Sequence, residues 1–405
     1  MKTVLITGGG ASGMAAALSA AASPENRVIL LERQARVGRK LLSTGNGRCN
    51  LTNMSCSPAN YHGEEAAFVI PALSAYPPES ILSWFRSLGL VYTEQPDRRV
   101  YPLSDTATSV LDVLRYALES SGVSLHTGES VLSAYRSGGS FQVQTSSSVY
   151  KADALIIACG GKAGGKVGSV SDGYELLRSF GHRCSRLYPA LVPLHTDTDF
   201  PRALKGIRTD AHVRLFGGSS LLAESSGEVQ FTERGVSGPA IFDISRTASV
   251  YGGDLELDLL RTLSLSELFS LLRQRKAMSP DVEAGSAFVG LLHSRLSSVV
   301  VRAASIRPSV SMKDLSENEL SRLAEKAKGF RLCVTGTDSF DAAQVTAGGI
   351  LTSDFSPDTL ESRLVPGLFA CGEVLDVDGD CGGFNLQFAF ASGIEAGRSA
   401  AYASD

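Results

Sequence analysis

The chain has 405 residues, 43% hydrophobic and 20% charged, the profile of a globular protein able to bury cores in two or three domains of roughly 100–200 residues each. A formal net charge of −4 supplies no global basic field for nucleic acid or acidic membranes, so neither partner is expected. Seven cysteines, at 49, 56, 159, 184, 333, 371 and 381, form no CxxC; an odd, scattered set points to reduced thiols in a cytoplasmic protein and excludes a redox dithiol pair.

Val4–Thr7 reads as a short buried strand, Ala11–Ala22 as an Ala-rich helix, Pro24-Glu25-Asn26 as a turn and Arg27–Glu32 as a second strand. Strand, Gly turn, helix and strand in that order make a βαβ unit with parallel strands. Lys2 and the apolar and small residues through Ala22 loosely imitate a secretory signal, but Gly8, Gly9 and Gly10 interrupt it and a strand with an acidic end follows, so secretion is not expected. No run approaches the ~18 apolar residues of a membrane span. From Arg33 to Asn53 the glycines, small polar residues and bases read as a long loop that wraps a ligand and stays out of the core. Pro78-Glu79 opens a helix stopped by Gly89, and Leu111, Leu114 and Leu118 mark a second helix ended by Gly122. Val123–His126, Phe141–Gln144 and Ser148–Lys151 read as a β-meander, and Ala154–Ala158 as a buried strand running into Cys159-Gly160-Gly161. Residues 191–262 alternate apolar and polar with many turn residues, as in an antiparallel β-domain. Residues 263–328 are helical, with capping-box spacing at Ser264–Glu267 and Ser316–Glu319. Residues 329–344 return to strands, and Leu364–Ala370 is a last buried strand. The expectation is an α/β, doubly wound, Rossmann-like domain of residues 1–190 and 345–405, interrupted by an inserted β-plus-helical domain of residues 191–344.

Gly8-Gly9-Gly10-Ala11-Ser12-Gly13 satisfies G-x-G-x-x-G between a strand and a helix. The first glycine permits the tight turn, the second lets backbone approach a pyrophosphate, and the third lets helix pack on strand; the helix start aims N–H groups and a positive dipole end at the diphosphate. Glu32 ends the next strand, where a carboxylate takes both ribose hydroxyls and repels a 2′-phosphate, which argues against tightly bound NADP there. NAD and FAD both fit Glu32. The Gly38–Asn53 loop favours FAD, whose ribityl chain and three-ring head must be cradled beyond the pyrophosphate. Ala158-Cys159-Gly160-Gly161 marks a second strand end of the kind that lines ligand crevices. Gly367–Gly397 then places Glu373 for ribityl hydroxyls, and Gly382-Gly383 opens a helix aimed at the flavin N1–C2=O edge. Asp376, Asp378 and Asp380 imitate a fragment of a Ca²⁺ loop without its closing Glu, and no histidine spacing suits a metal, so none is expected.

These residues resemble the bacterial YhiN/BaiN-like NAD(P)/FAD-dependent oxidoreductases, a group that includes aminoacetone-oxidase-like proteins and bile-acid dehydro-reductases. The resemblance spans almost the whole chain. Its most specific words are Gly38-Arg39-Lys40 with Ser43–Asn53, Phe231-Thr232 with Gly235–Ala240, Gly372–Asp378 and Gly382–Gln387. It implies an inserted β-barrel (191–262 and 329–344) plus helical segment (263–328). It also implies FAD held by Gly8, Gly10, Ala11, Ser12, Gly13, Glu32 and Arg33; by Gly38, Arg39, Lys40, Gly45, Asn46, Gly47, Cys49, Asn50 and Leu51; by Val131, Ala158, Cys159 and Gly160; and by Gly372, Glu373, Gly383, Phe384, Asn385 and Leu386. Cys159 stands where Thr is common in the group, Phe384 where Tyr is common, and Phe388 and Phe390 where Trp is common, departures that bear on the substrate pocket.

No second intact G-x-G-x-x-G follows, so NAD(P)H has no domain of its own and would visit the flavin transiently. The expected reaction is reduction by NAD(P)H, then hydride transfer from flavin N5 to an electron-poor double bond of a small organic, in one version steroid-like, substrate. Tyr101 and Tyr188 are the candidate proton donors. Alternatives left open are an FAD-dependent amine oxidase using O₂, a flavin-binding sensor without turnover, and a tRNA modifier with FAD as methylene carrier, against which the lack of a basic patch argues. Cys49, inside the loop, could carry a covalent flavin link or serve as packing. The inserted domain is expected to choose the substrate.

Overall fold

The computed structural model describes residues 1–165, 172–197 and 199–402. The chain forms two units, Met1–Tyr188 with Phe340–Asp405, and Pro189–Ser339.

In the first unit five parallel strands run in the order Leu368–Ala370, Ala154–Ile157, Lys2–Thr7, Asn26–Glu32, Ser124–Thr127. The chain therefore winds outward on one side of the first strand and later returns on the other. The order reverses between Lys2–Thr7 and Ala154–Ile157, and in such sheets the carboxyl ends of the strands at that switch point frame the ligand crevice. The inner residues of these strands, Val4–Ile6, Leu30 and Ala154–Ile157, are fully buried, as parallel strands covered on both faces require. The first helix, Ala11–Ala21, packs against the C-terminal helix, Phe384–Tyr402. Their closeness depends on Gly393 and Gly397: a Cβ on Gly393 would collide with the Ser12 carbonyl oxygen and stand 3.0 Å from Ser12 Cα, and one on Gly397 would meet Ala16 in the same way, 2.9 Å from its Cα.

Four local readings are corrected. Ser124–Thr127 is the outer strand of the parallel sheet and no part of the meander. The meander is Val131–Ser137, Ser140–Thr145 and Val149–Ala152; its first strand alternates weakly, with only Ala134 buried, so no periodicity announced it. The Arg33–Asn53 segment is not excluded from the core: Val37, Leu41, Cys49 and Leu51 are buried within it, and Thr52–Asn53 pairs with Arg99–Pro102, which pairs with Tyr92–Glu94. Leu364–Ala370 shortens to a strand over Leu368–Ala370.

The second unit is a closed six-stranded barrel in the order Leu194–Thr196, Gly235–Ser237, Ser220–Phe231, Arg208–Gly217, Asp254–Asp258, Phe330–Thr337. Helix Pro239–Tyr251 lies inside the stretch read as strand. It buries Ala240, Ile241, Ile244 and Ala248 in the same core as Val213, Leu215, Phe231, Leu255 and Leu257, and Pro239 at its start fixes a φ suited to the first helical turn. Ser264 and Ser316 cap Leu265–Met278 and Glu317–Lys328 through reciprocal bonds with Glu267 and Glu319. Among the described residues no helix is long and apolar enough to cross a membrane.

Candidate functional site

The site is built at the switch point of the first unit. Gly8 follows the first strand with φ +99°, and a Cβ there would lie 2.5 Å from the Ala158 carbonyl oxygen, so the two strand ends meet backbone to backbone. A side chain on Gly13 would likewise strike the Gly8 carbonyl oxygen. Helix Ala11–Ala21 starts with no side-chain cap on Gly10 and no acidic residue in its first turn. Its orphan N–H groups and dipole end therefore favour an anion. Glu32 closes the same corner: Oε2 accepts the Gly9 N–H at 2.8 Å and Oε1 the Gln34 N–H at 2.6 Å. The segment after it folds back, with the Gly38 N–H on the Gly9 carbonyl at 2.8 Å. Val131 follows Glu129, whose N–H is held by the Glu32 carbonyl at 3.0 Å, which brings the start of the meander to the end of the Glu32 strand.

A second cluster centres on Glu373. Its Oε2 pairs with Lys40 Nζ at 2.6 Å and its Oε1 accepts the Thr346 N–H at 2.9 Å. Gly161 packs so close that a Cβ would lie 2.5 Å from Glu373 Oε1, and the Thr346 hydroxyl accepts the Ala163 N–H at 2.8 Å. One carboxylate thus ties together the Gly38–Asn53 segment, the Gly160-Gly161 turn and strand Val345–Ala347. Thr346 escaped the sequence reading. Its only signal was Gly348-Gly349 after a strand, the same pattern that flagged Ala158–Gly161.

The C-terminal segment is fixed from several sides. The Gly372 N–H donates to Ser392 Oγ at 3.0 Å. Asn385 Oδ1 accepts the Gly379 N–H at 2.8 Å, and its Nδ2 donates to the Gly379 carbonyl at 2.7 Å. Thr52 Oγ1 donates to Gln387 Oε1 at 2.7 Å in a fully buried pair, and Tyr61 Oη donates to the Phe384 carbonyl at 2.9 Å. Asn50 Oδ1 is buried, has no partner among the described residues and faces Gly383, 2.9 Å from where a Cβ would sit. An orphaned buried acceptor costs about 1–3 kcal/mol, so this one is placed for something other than stability. The aspartate turn is held internally: Asp376 Oδ2 accepts the Glu64 N–H at 3.1 Å, Asp380 Oδ1 pairs with His62 Nε2 at 2.8 Å, and Asp380 Oδ2 accepts from Asn60 at 3.1 Å.

Other sequence candidates settle into quieter places. Tyr101 lies on strand Arg99–Pro102 and not on a loop; it is buried, with the Arg48 guanidinium 4.0 Å above its ring. Tyr188 is half-buried beneath Arg186, 5.0 Å from the ring centre. Phe390 is wholly core, edge-on to Phe85 at 4.9 Å, while Phe388 leans on Tyr61. Among the described residues no cysteine is joined in a disulfide. Burial pushes Cys49 up to about 12, against the lowering bond from Thr44, and Cys159 up to about 11, against that from Thr7. A protonated, enclosed Cys49 favours packing over the covalent-link reading.

An uncapped helix start, a glycine turn that admits no side chain, a carboxylate at the strand end and an unpartnered acceptor beside Gly383 fit a dinucleotide whose far end is a ring system with N–H and C=O groups, as in FAD. Among known proteins, the HI0933-like protein Rossmann domain family model matches residues 2–399. The 3-dehydro-bile acid delta(4,6)-reductase of Clostridium scindens is 38% identical over 407 residues, covering 99% of each chain. The ribosomal RNA dihydrouridine synthase of Escherichia coli is 29% identical over 394 residues, covering 96% of this chain and 95% of its own, and that of Haemophilus influenzae is 29% identical over 398 residues, covering 96% of both. With RNA-modifying relatives of this length, net charge no longer supports the expectation that nucleic acid is excluded as a partner.

Proposed function

The chain belongs to the HI0933-like family and is a flavin-dependent oxidoreductase, and from that premise we propose that it reduces a carbon–carbon double bond conjugated to a carbonyl in a small, steroid-like molecule, with NAD(P)H supplying the electrons. The observation that carries this reading is the full-length 38% identity to a delta(4,6)-reductase. Bound FAD would supply two-electron hydride chemistry. The chain's own residues do the holding. The Gly8–Gly13 turn and the first N–H groups of helix Ala11–Ala21 would bind the diphosphate, and Glu32 the ribose hydroxyls. Glu373, held by Lys40 and the Thr346 N–H, would meet the polyol part, and Asn50 Oδ1 would offer an acceptor beside Gly383 to the ring system.

A second reading has its own support. Dihydrouridine is uridine with one ring double bond saturated next to a carbonyl, so the relatives named for that product imply the same bond chemistry on RNA. Anaerobic stopped-flow mixing tests both. The oxidised protein is expected to bleach with NADH or NADPH and to recover its colour on mixing with a 4-en-3-one steroid. Recovery with a uridine-containing rRNA fragment and not with the enone favours the RNA reading. Bleaching by an amine without any nicotinamide favours an oxidase. A flavin that neither nucleotide bleaches removes NAD(P)H from the proposal.

A further inference from the structure

Saturating a conjugated double bond loses one C=C bond and forms two C–H bonds. One hydrogen arrives as hydride with both electrons, drawn ultimately from NAD(P)H; the other must arrive as a proton on the neighbouring carbon. The phenols and thiols around the site are poorly placed to give it. Tyr61 is buried, its hydroxyl is committed to the Phe384 carbonyl, and burial holds its pKa well above the ordinary value. Tyr174 is fully buried and shifted upward for the same reason. Tyr101 is covered by Arg48. Cys371 is enclosed and Cys159 half-buried, and burial raises them to about 12 and about 11.

His62 is placed otherwise. Strand Tyr61–His62 pairs with Asp378–Gly379, His62 opposite Asp378, which sets the imidazole on the turn leading into Gly382-Gly383 and the C-terminal helix. Its Nε2 lies 2.8 Å from Asp380 Oδ1, and its side chain is 38% exposed. Asp380 is itself immobilised: its N–H donates to the Asn60 carbonyl at 3.0 Å, its other carboxylate oxygen accepts from Asn60 Nδ2 at 3.1 Å, and its carbonyl accepts from Asn385 Nδ2 at 3.3 Å. A carboxylate only accepts, so Nε2 carries its hydrogen, the ring is fixed in orientation, and Nδ1 is left as the nitrogen that gives and regains a proton. A pair this exposed contributes little to stability, yet the side chains of Asn60 and Asn385 and the Asn60 carbonyl converge on Asp380 to hold it.

We propose that His62, oriented by Asp380, is the proton donor of the reduction, passing the Nδ1 proton to the carbon beside the one that receives hydride and recovering it from solvent. This rests on the double-bond reductase reading above. The test uses the FAD-loaded protein and the variants H62Q, H62A and D380N, reduced anaerobically by NAD(P)H and then mixed with a 4-en-3-one steroid. Reduction by the nucleotide, FAD affinity and thermal midpoint are expected to match wild type, because none of them uses the proton. Reoxidation by the enone is expected to slow about 10²–10⁴-fold in H62Q and H62A, the range for losing a general acid. D380N should slow it less, and added imidazole should restore part of the rate in H62A, since the site is open to solvent. Enone reoxidation in H62Q within about threefold of wild type would overturn the assignment, as would H62A slowed equally in nucleotide reduction and enone reoxidation. Wild-type protein that bleaches and is reoxidised by no enone and no uridine overturns the reductase reading itself, and the donor role falls with it.

Discussion

Replacing Gly393 with alanine tests whether the two helices flanking the site are held by backbone contact. In the middle of an ordinary exposed helix, Gly→Ala stabilises by about 1 kcal/mol through propensity alone. Here the new Cβ would stand 3.0 Å from both Ser12 Cα and its carbonyl carbon, besides striking the carbonyl oxygen, against the ~3.5–4.0 Å at which carbon atoms settle. The helices must separate by about half an ångström or more, and no rotamer relieves a clash with main chain. Overpacking of this kind costs about 1–3 kcal/mol, so the sum is a loss of up to about 2 kcal/mol, or roughly 4–8 °C in the unfolding midpoint at about 2–4 °C per kcal/mol for a unit of this size. Because Ser12 belongs to the turn expected to hold the diphosphate, FAD affinity should fall as well. Thermal unfolding with and without FAD, together with equilibrium dialysis, measures both. The sign decides: a G393A protein with a raised midpoint and unchanged FAD binding would refute the close-contact account. G397A opens the same interface against Ala16, so the double variant should lose less than the two single losses combined.

Other expectations concern single groups. Glu32→Gln should weaken FAD about tenfold to a hundredfold, the worth of a charge-assisted hydrogen bond; dialysis showing unchanged affinity would remove Glu32 from the site. His182 has a fully buried side chain bonded to Ser362 at 3.0 Å and stacked on Phe355, and burial lowers its pKa below the ordinary 6.5 against the raising effect of Asp354. The unfolded chain binds that proton first, so the stability this group contributes is complete above about pH 6.5 and is lost as pH falls below it; urea midpoints between pH 7 and 5 should fall more in wild type than in H182Q, and parallel curves would contradict this. Iodoacetamide at pH 8 should label exposed Cys333 and spare buried Cys49 and Cys371, and acid precipitation should release all FAD; flavin retained on a Cys49 peptide would revive the covalent reading.

The parts of the fold legible in the sequence are those where one local rule acts alone. Gly8–Gly13 between an apolar strand and an Ala-rich helix, the two capping boxes, and Leu111, Leu114 and Leu118 each state their structure through spacing. The misread parts are decided by distant partners. Ser124–Thr127 alternates only weakly and becomes a parallel strand because Ile29–Glu32 lies beside it. Helix Pro239–Tyr251 follows a strand-like stretch, and its buried face is defined by barrel residues far away in sequence. Glycines and strand ends announced where a ligand could lie, whereas Thr346 under Glu373, Gln387 on Thr52 and Asp380 on His62 are pairs separated by 27 to 335 residues, and no spacing within one segment encodes them.

The two substrate readings place the same demands on the residues of the first unit, since an enone and a uridine ring both need hydride and a nearby proton. Charge is what separates them. RNA binding releases counterions, and affinity falls with a log–log salt slope of about −0.7 to −0.9 for each phosphate neutralised, so an RNA-modifying protein must concentrate unpaired bases somewhere. This chain carries −4 overall, and between residues 189 and 339 its Lys and Arg equal its Asp and Glu in number. Several of those bases are already answered by carboxylates, Lys205 by Glu233, Arg261 by Asp210, Arg273 by Glu317 and Lys313 by Asp281. A steroid-like molecule asks for apolar area instead, worth about 25 cal/mol per Å² and indifferent to salt. Charge balance alone leaves both readings standing, and salt dependence separates them: a KM for the enone that stays constant between about 50 and 200 mM salt supports the small molecule, whereas rRNA binding that falls steeply over that range supports the RNA reading.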